Sequence, residues 1–222
     1  MKRLALNASP RAEAANSVHI LQWTMAGMQK AGSDQIPLLH LARGAEEALR
    51  AFLDADVVLI AFPLYTDFVP ALLKEFLDTL AGLDRILLTG KRVAWIVHSG
   101  FPESAHSEGT AAWLPRATER LGMVCAGVLV KGGSEGFRMM PPEMTKKVRT
   151  LFGTAGASLT ATGHFDRASA EALAGRRKLS LAARLVMGAL KPTGLLNFYW
   201  NSMLKKHKAM DRRFDAPHGE AF

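Results

Sequence analysis

The sequence of 222 residues has little cysteine, no long apolar run and no glycine before residue 27. Cys125 is the single cysteine, which excludes an intrachain disulfide, a cysteine-based zinc site and an iron–sulfur cluster held by this chain alone. Every apolar stretch is shorter than the ~18 residues that a membrane-spanning helix needs. The first residues carry two basic side chains and then too short an apolar run for a signal peptide. We therefore expect a cytoplasmic protein.

The net charge of +8 is unevenly distributed along the chain. Residues 166–215 contain 11 Lys and Arg against 4 Asp and Glu, a net charge of +7, and the rest of the chain carries only +1. Such a basic segment can face nucleic acid, anionic lipid or an acidic partner, but it is more often a solvated helical face. The charge therefore belongs to a tail, and we predict no nucleic-acid partner.

Apolar runs bounded by turn residues alternate with helical periodicity, which is typical of βαβ units and a parallel sheet. The run DVVLIAF is almost continuously apolar, as expected for a central strand covered on both faces. Five such strands favour an α/β, doubly wound, flavodoxin-like parallel sheet with strand order 2-1-3-4-5. The predicted strands span 2–7, 35–41, 56–62, 92–98 and 124–130.

Helical segments lie between these strands and after them. The stretch 16–32 keeps helical spacing up to Gly32, and the stretch 70–83 begins with Pro70, a residue suited to the first turn. Two more predicted helices cover about 107–121 and 142–162.

The pattern changes after His164. Residues 169–190 and 194–210 have the periodicity of two amphipathic helices separated by KPTG. We therefore predict a sheet domain over 1–165 and a basic, amphipathic helical extension over 166–222. Packing of this extension on its own domain or on a homodimer partner is the prediction we favour, and contact with a membrane surface is the alternative left open.

The loop after the first strand reads NASPRAEAANS and contains no glycine. It therefore matches neither the GxxxxGK[ST] phosphate loop nor the GxGxxG dinucleotide fingerprint. Hydroxyl and amide groups, one guanidinium and the N–H groups of a helix start would suit a terminal phosphomonoester. The residues concerned are Ser9, Arg11, Asn16 and Ser17. The alternative reading is an ordinary helix cap at Asn16 or Ser17.

Two further loops should meet this one, because the carboxyl ends of parallel strands share an edge where ligands bind. The segment PLYTDF follows the third strand and carries two aromatic residues that could flank a planar ring. The segment HSGFPE follows the fourth strand, where Gly100 would allow a ligand to approach the backbone.

Taken together, SPR followed by NS, PLY with PALLKEFLD, and HSGFPE resemble the NAD(P)H-dependent, FMN-binding oxidoreductases of flavodoxin-like fold. KGGSEG, TGHFD and the terminal FYWNSMLKKHKAMDRRFDAP are similar to a bacterial subgroup of these FMN reductases. The resemblance implies that the first loop holds the ribityl phosphate of FMN and that the other two loops wrap its ring. Carried over, the phosphate ligands are Ser9, Arg11, Asn16 and Ser17, and the ring is lined by Pro63, Leu64, Tyr65, Thr66, Asp67, Ser99, Gly100, Phe101 and Glu103.

The resemblance also implies a reaction. Hydride would pass from NADPH or NADH through FMN to a small acceptor, which could be a quinone, a nitro or azo compound, or free flavin. The family usually has Gly at the position of Ala8 and Ser at that of Ala15. The missing hydroxyl predicts FMN binding weaker by ~1 kcal/mol, about fivefold in affinity.

Two other functions remain open from the sequence. One is a flavodoxin-type electron carrier, and the other is a scaffold without FMN that binds a partner or a membrane through its basic tail. No two histidines stand at i, i+4 with a carboxylate between them, and no GxSxG occurs. We therefore predict neither a metal site nor a Ser/His/Asp hydrolase.

Overall fold

The computed structural model describes residues 1–194 and 197–215. Its strands form one sheet in which every neighbouring pair is parallel and the order is β2-β1-β3-β4-β5. This arrangement confirms the predicted fold class and strand order. The strands are β1 (Arg3–Asn7), β2 (Leu38–His40), β3 (Val57–Pro63), β4 (Arg92–His98) and β5 (Val124–Lys131).

Helices cover both faces of the sheet. One face carries α2 (Ala45–Asp54), α3 (Ala71–Ala81) and α4 (Glu108–Arg120). The other face carries α1 (Asn16–Lys30), α5 (Pro142–Thr162) and α6 (Arg167–Ala174). Helix α2 lies in a segment that the sequence analysis left unassigned.

Alternate strand residues supply the core on each face. In β1, Leu4 and Leu6 join one cluster of buried side chains, and Ala5 joins the other. Every residue of β3 is buried, as the continuous apolar run predicted. Burial of a large apolar side chain contributes about 1.5–3 kcal/mol, so this double-sided core is the main stabilising term.

The strand register brings four chain segments to one edge. Pro63 pairs with His98, and His98 pairs with Lys131, so β3, β4 and β5 end at the same level. Asn7 at the end of β1 lies beside Ala61 of β3. The loops after these strands therefore start next to one another.

The chain divides into two compact units, residues 1–178 and 179–222. The helix predicted over 169–190 is wrong: α6 ends at Ala174, Gly175 adopts a φ of +65°, and a new helix begins at Leu181. Between them, the carbonyl groups of Arg176 and Arg177 accept hydrogen bonds from the N–H groups of Ser104 and Ala105 (3.2 Å each). These bonds tie the segment to the start of the loop helix at Ser104, and the first unit continues to Lys178, beyond residue 165.

The second unit contains α7 (Leu181–Leu190) and α8 (Phe198–Lys206). The helix predicted over 194–210 is shorter than expected, and part of it, residues 195 and 196, lies outside the described residues. Among the helices that the structure describes, none combines the length and the apolarity required to cross a bilayer.

Helices α1 and α5 approach each other closely at glycine residues. A Cβ atom added to Gly27 would lie 1.9 Å from the carbonyl oxygen of Gly153, and one added to Gly156 would lie 2.1 Å from that of Thr24. Backbone therefore packs directly against backbone at this crossing.

We expect Gly27→Ala to destabilise the fold by about 2–3 kcal/mol or more, because the helices must separate to admit the methyl group. The matched control is Gly109→Ala in α4, where an added Cβ meets nothing within 4 Å. That change should be neutral or stabilise by up to about 1 kcal/mol. Urea unfolding of both variants measures the difference, and equal free energies of unfolding would contradict the close contact.

Candidate functional site

A cleft lies at the carboxyl edge of the sheet, where the loops after β1, β3, β4 and β5 meet. Its walls contain eight of the thirteen residues that the sequence analysis proposed. The lining residues are Ser9, Arg11, Ala15, Asn16, Pro63, Leu64, Tyr65, His98, Ser99, Gly100 and Glu135. Ser17, Thr66, Asp67, Phe101 and Glu103 do not line it.

Asn7 shapes the first loop. The side-chain Oδ1 of this buried residue accepts a hydrogen bond from the N–H of Ser9 (3.1 Å), and its Nδ2 donates to the carbonyl oxygen of Ala12 (2.8 Å). The hydroxyl of Ser9 in turn accepts from the N–H of Arg11 (3.3 Å). A buried amide thus sets the turn that glycine provides in phosphate loops.

Helix α1 begins at this loop without a side-chain cap. Its N-cap residue is Ala15, and no side chain of the described residues caps the N–H groups of the first turn. The reading of Asn16 or Ser17 as a helix cap is therefore wrong. Because the first N–H groups of a helix lack intrahelical partners and carry partial positive charge, the helix start at Ala15 and Asn16 gives the cleft an anion-binding end.

Asn16 presents an acceptor that the protein does not use. Its Nδ2 donates to the carbonyl oxygen of Glu135 (3.0 Å), which orients the amide. The Oδ1 atom is buried and finds no hydrogen-bond partner within the described residues. A buried unsatisfied acceptor in the wall of a cleft favours a ligand that brings a hydroxyl or N–H donor.

Ser17 does not face the cleft but supports its floor. The Ser17 side chain is fully buried, and its Oγ lies 2.7 Å from Nε2 of His98. The sequence predicted a phosphate contact for this hydroxyl, but in the structure it is hydrogen-bonded to His98 instead. The backbone N–H of Ser17 remains part of the first turn of α1.

His98 connects three loops through a chain of hydrogen bonds. Its Nδ1 lies 2.9 Å from Oγ of Ser134, and that hydroxyl donates to the carbonyl oxygen of Ser99 (2.9 Å). Ser134 therefore accepts from His98 Nδ1–H, which leaves Nε2 to accept the Ser17 hydroxyl proton. Burial lowers the pKa of His98 to about 3, so the imidazole is neutral at physiological pH.

The second loop turns tightly at Thr66 and Asp67. Tyr65 and Phe68 exchange backbone hydrogen bonds (3.1 and 3.0 Å), and the two residues between them have φ values of +50° and +61°. This is a two-residue turn of type I′, in which a β-branched Thr66 is strained. The hydroxyl of Thr110 holds the turn by donating to the carbonyl oxygen of Asp67 (2.8 Å).

Phe101 and Glu103 form a separate cluster beside this turn. The Phe101 ring stacks on His106 with centroids 4.4 Å apart. His106 Nδ1 lies 3.5 Å from Oδ1 of Asp67, and its Nε2 lies 3.8 Å from Oε2 of Glu103. The imidazole thus links the second loop to the third, next to the cleft.

Glu135 belongs to the site, although sequence reasoning missed it. It lies in the loop after β5, and its Oε1 is 3.8 Å from Nη1 of Arg11. Glycine residues fold this loop against the third loop: a Cβ on Gly132 would lie 2.6 Å from the carbonyl oxygen of Phe101, and Gly133 has a φ of +66°. The GGSEG sequence directly after a strand was the signal that could have predicted this fourth loop.

The neutral His98 makes stability depend on pH. Its pKa is about 3 in the folded chain and about 6.5 when unfolded, so the unfolded chain takes up the proton first as pH falls. Folding stability present above pH 6.5 is therefore lost on acidification, by about 2 kcal/mol between pH 7 and pH 5. We expect His98→Asn to remove this contribution to the loss of folding stability between pH 7 and pH 5.

Urea unfolding at both pH values measures this effect. The control is Ser17→Ala, which breaks the hydrogen bond to Nε2 but keeps the imidazole, and it should retain the pH dependence. Equal losses for the wild-type chain and His98→Asn would show that His98 does not titrate in this range.

Solved structures resemble this fold at low sequence identity. An FMN-dependent NADH-azoreductase from Bacillus anthracis, solved with FMN, is 16% identical with a TM-score of 0.56, covering 72% of this chain and all of that chain. An NADH:FMN oxidoreductase in its apo form is 17% identical, with a TM-score of 0.57 and coverages of 77% and 94%. An NAD(P)H:quinone oxidoreductase from Methanothermobacter marburgensis is 16% identical, with a TM-score of 0.53 and coverages of 71% and 95%.

At these identities the likeness concerns the fold alone. No curated protein matches the sequence. Residues 1–120, more than half of the chain, match the Flavodoxin_2 family, described as a flavodoxin-like fold. They include the first three loops of the cleft up to Glu103. With its sheet order and its cleft at the strand ends, the chain belongs to this flavodoxin-like family.

Proposed function

We propose that this protein is an FMN-dependent oxidoreductase, which uses NADPH or NADH to reduce a small acceptor such as a quinone, a nitro or azo compound, or free flavin. The observation that carries the proposal is the uncapped start of α1, which meets Ser9 and Arg11 in one cleft. Solved proteins of similar fold are named as an FMN-dependent NADH-azoreductase, an NADH:FMN oxidoreductase and an NAD(P)H:quinone oxidoreductase. These names support an oxidoreductase of the same class.

The residues of the cleft fit the polar part of FMN. Ser9, Arg11 and the N–H groups of the helix start would hold the phosphate. The buried Oδ1 of Asn16 suits a ribityl hydroxyl donor. The enclosed part of the cleft has a volume of about 50 Å³, far below the roughly 300 Å³ of small-molecule pockets. It can therefore enclose a phosphate, and the ring would lie outside it.

The ring would lie against the second and third loops. Tyr65, which is partly exposed, lines the cleft together with Ser99 and Gly100. When bound, FMN supplies the hydride transfer between nicotinamide and acceptor. The protein supplies position and electrostatics: N–H groups around Thr66 and Gly100 would face the ring. The neutral, buried His98 holds the floor without donating a proton to the acceptor.

The visible spectrum of the purified protein tests this proposal. We expect flavin bands that bleach when NADPH or NADH is added without oxygen. A protein that takes up no added FMN would contradict every flavin function. That result would favour the alternative of a scaffold without FMN. Bound flavin that resists NAD(P)H but cycles with a separate reductase would identify an electron carrier.

Arg11→Ala tests the phosphate cradle. Loss of a charge-assisted hydrogen bond should weaken FMN binding about tenfold, measured by quenching of flavin fluorescence. Riboflavin, which lacks the phosphate, should bind the variant and the wild-type chain equally. The matched control is Arg43→Ala, whose guanidinium binds Glu13 (2.8 Å) and does not line the cleft. An unchanged FMN affinity of Arg11→Ala would refute the cradle.

Ala15→Ser should strengthen FMN binding. Ala15 is the buried N-cap of α1 in the wall of the cleft, so a hydroxyl there can reach a bound phosphate. One added hydrogen bond is worth ~1 kcal/mol, about fivefold in affinity. If the hydroxyl only caps the helix, the free energy of unfolding will rise and the FMN affinity will not.

A further inference from the structure

Helix α7 is apolar over most of its surface and yet exposed. Leu181, Leu185 and Val186 have exposed fractions of 69%, 65% and 58%. The sequence of the helix, LAARLVMGAL, contains no acidic residue and a single basic one. A helix with apolar residues around most of its circumference is normally buried, so this helix needs an apolar surface to cover it.

The second helix of this unit adds aromatic and basic residues. Phe198 begins α8 and is 74% exposed, and Lys205 and Lys206 form its last turn. Beyond it, the guanidinium of Arg213 lies 4.7 Å from the centroid of the exposed Phe214 ring. Exposed aromatic residues followed by cationic groups are typical of segments that lie at a membrane interface.

The charge of the chain decides what covers these helices. Residues 179–222 carry 7 Lys and Arg against 3 Asp and Glu, a net charge of +4 on 44 residues. Residues 1–178 also carry +4. A second copy also carries a net positive charge, whereas an anionic surface attracts these helices.

The length of α7 decides how it would meet a bilayer. Ten residues of helix span about 15 Å, half of the hydrocarbon thickness, so the helix cannot cross it. We propose that α7 and α8 bind flat on an anionic lipid membrane, with the exposed apolar side chains in the interface and the basic groups on the lipid headgroups. This proposal does not depend on the proposed flavin chemistry.

Vesicle sedimentation of the full chain tests the apolar part. We expect binding to vesicles of phosphatidylcholine mixed with phosphatidylglycerol, and little binding to phosphatidylcholine alone. The double variant Leu185→Glu and Val186→Glu should lower the binding constant at least about tenfold. The matched control is Ile86→Glu with Leu87→Glu, a neighbouring pair in the first unit that is also exposed (72% and 50%). It should bind like the wild-type chain.

A second pair of variants tests the charge. Lys205→Glu with Lys206→Glu should weaken binding to the anionic vesicles, since each basic group near such a surface is worth about fivefold in affinity. Lys146→Glu with Lys147→Glu makes the same change of net charge on α5 and should have a much smaller effect.

Absence of binding to the anionic vesicles, or equal effects of test and control variants, would overturn the proposal. So would a stable dimer in sedimentation velocity that Leu185→Glu and Val186→Glu dissociate, because a second copy would then cover the helices. The flavin spectrum should be the same in all four variants, so failure here is distinguishable from failure of the proposed function.

Discussion

The hydrogen bonds of the buried His98 set the geometry on which the rest of the site depends. They join Ser17 in the first turn of α1 to Ser134 after β5, and Ser134 holds the carbonyl group of Ser99 at the end of β4. The residues that form this series of hydrogen bonds are all buried: Ser17, His98, Ser99 and Ser134. Loss of one partner therefore leaves the next polar group without a hydrogen bond. A charge on the imidazole would disturb each of these hydrogen bonds. The neutral state is therefore part of the architecture, and the three loops keep their positions only together.

Asn7 has the same role at the end of β1, two strands away from β4. Phosphate loops usually rely on glycine, because the backbone must adopt conformations that a side chain resists. Here the turn is fixed by the Asn7 amide, and Ala12 adopts a φ of +45° without being glycine. A loop held in this way is rigid before any ligand arrives, which lowers the entropy cost of binding. Because this loop contains no glycine, each of its residues carries a Cβ atom. These atoms disfavour the close approach of a pyrophosphate and favour a single phosphate at the helix start.

The sequence predicted the sheet because its signals are local and strong. Apolar runs such as that of β3 can fold in few other ways, and the loops that follow parallel strands must share an edge. Prediction from the sequence failed where tertiary contacts determine the local structure. The break after α6 depends on hydrogen bonds from Ser104 and Ala105, far away in the chain, and no periodicity reports them. Ser17 and Arg11 are both polar residues of one loop, and only the position of His98 separates the buried hydroxyl from the residues that line the cleft.

Glu135 affects which ligands the cleft would favour, because its carboxylate faces Arg11. Its carboxylate lies 3.8 Å from Arg11, and both side chains are about half exposed, so this ion pair is worth little. A ligand of low charge would gain little from replacing the carboxylate beside Arg11, and any negative charge that it placed near Glu135 would be repelled. A phosphate dianion can outcompete the carboxylate, because it also gains the N–H groups at the start of α1. The arrangement therefore favours ligands that place their full charge at the helix start and their neutral parts toward Tyr65.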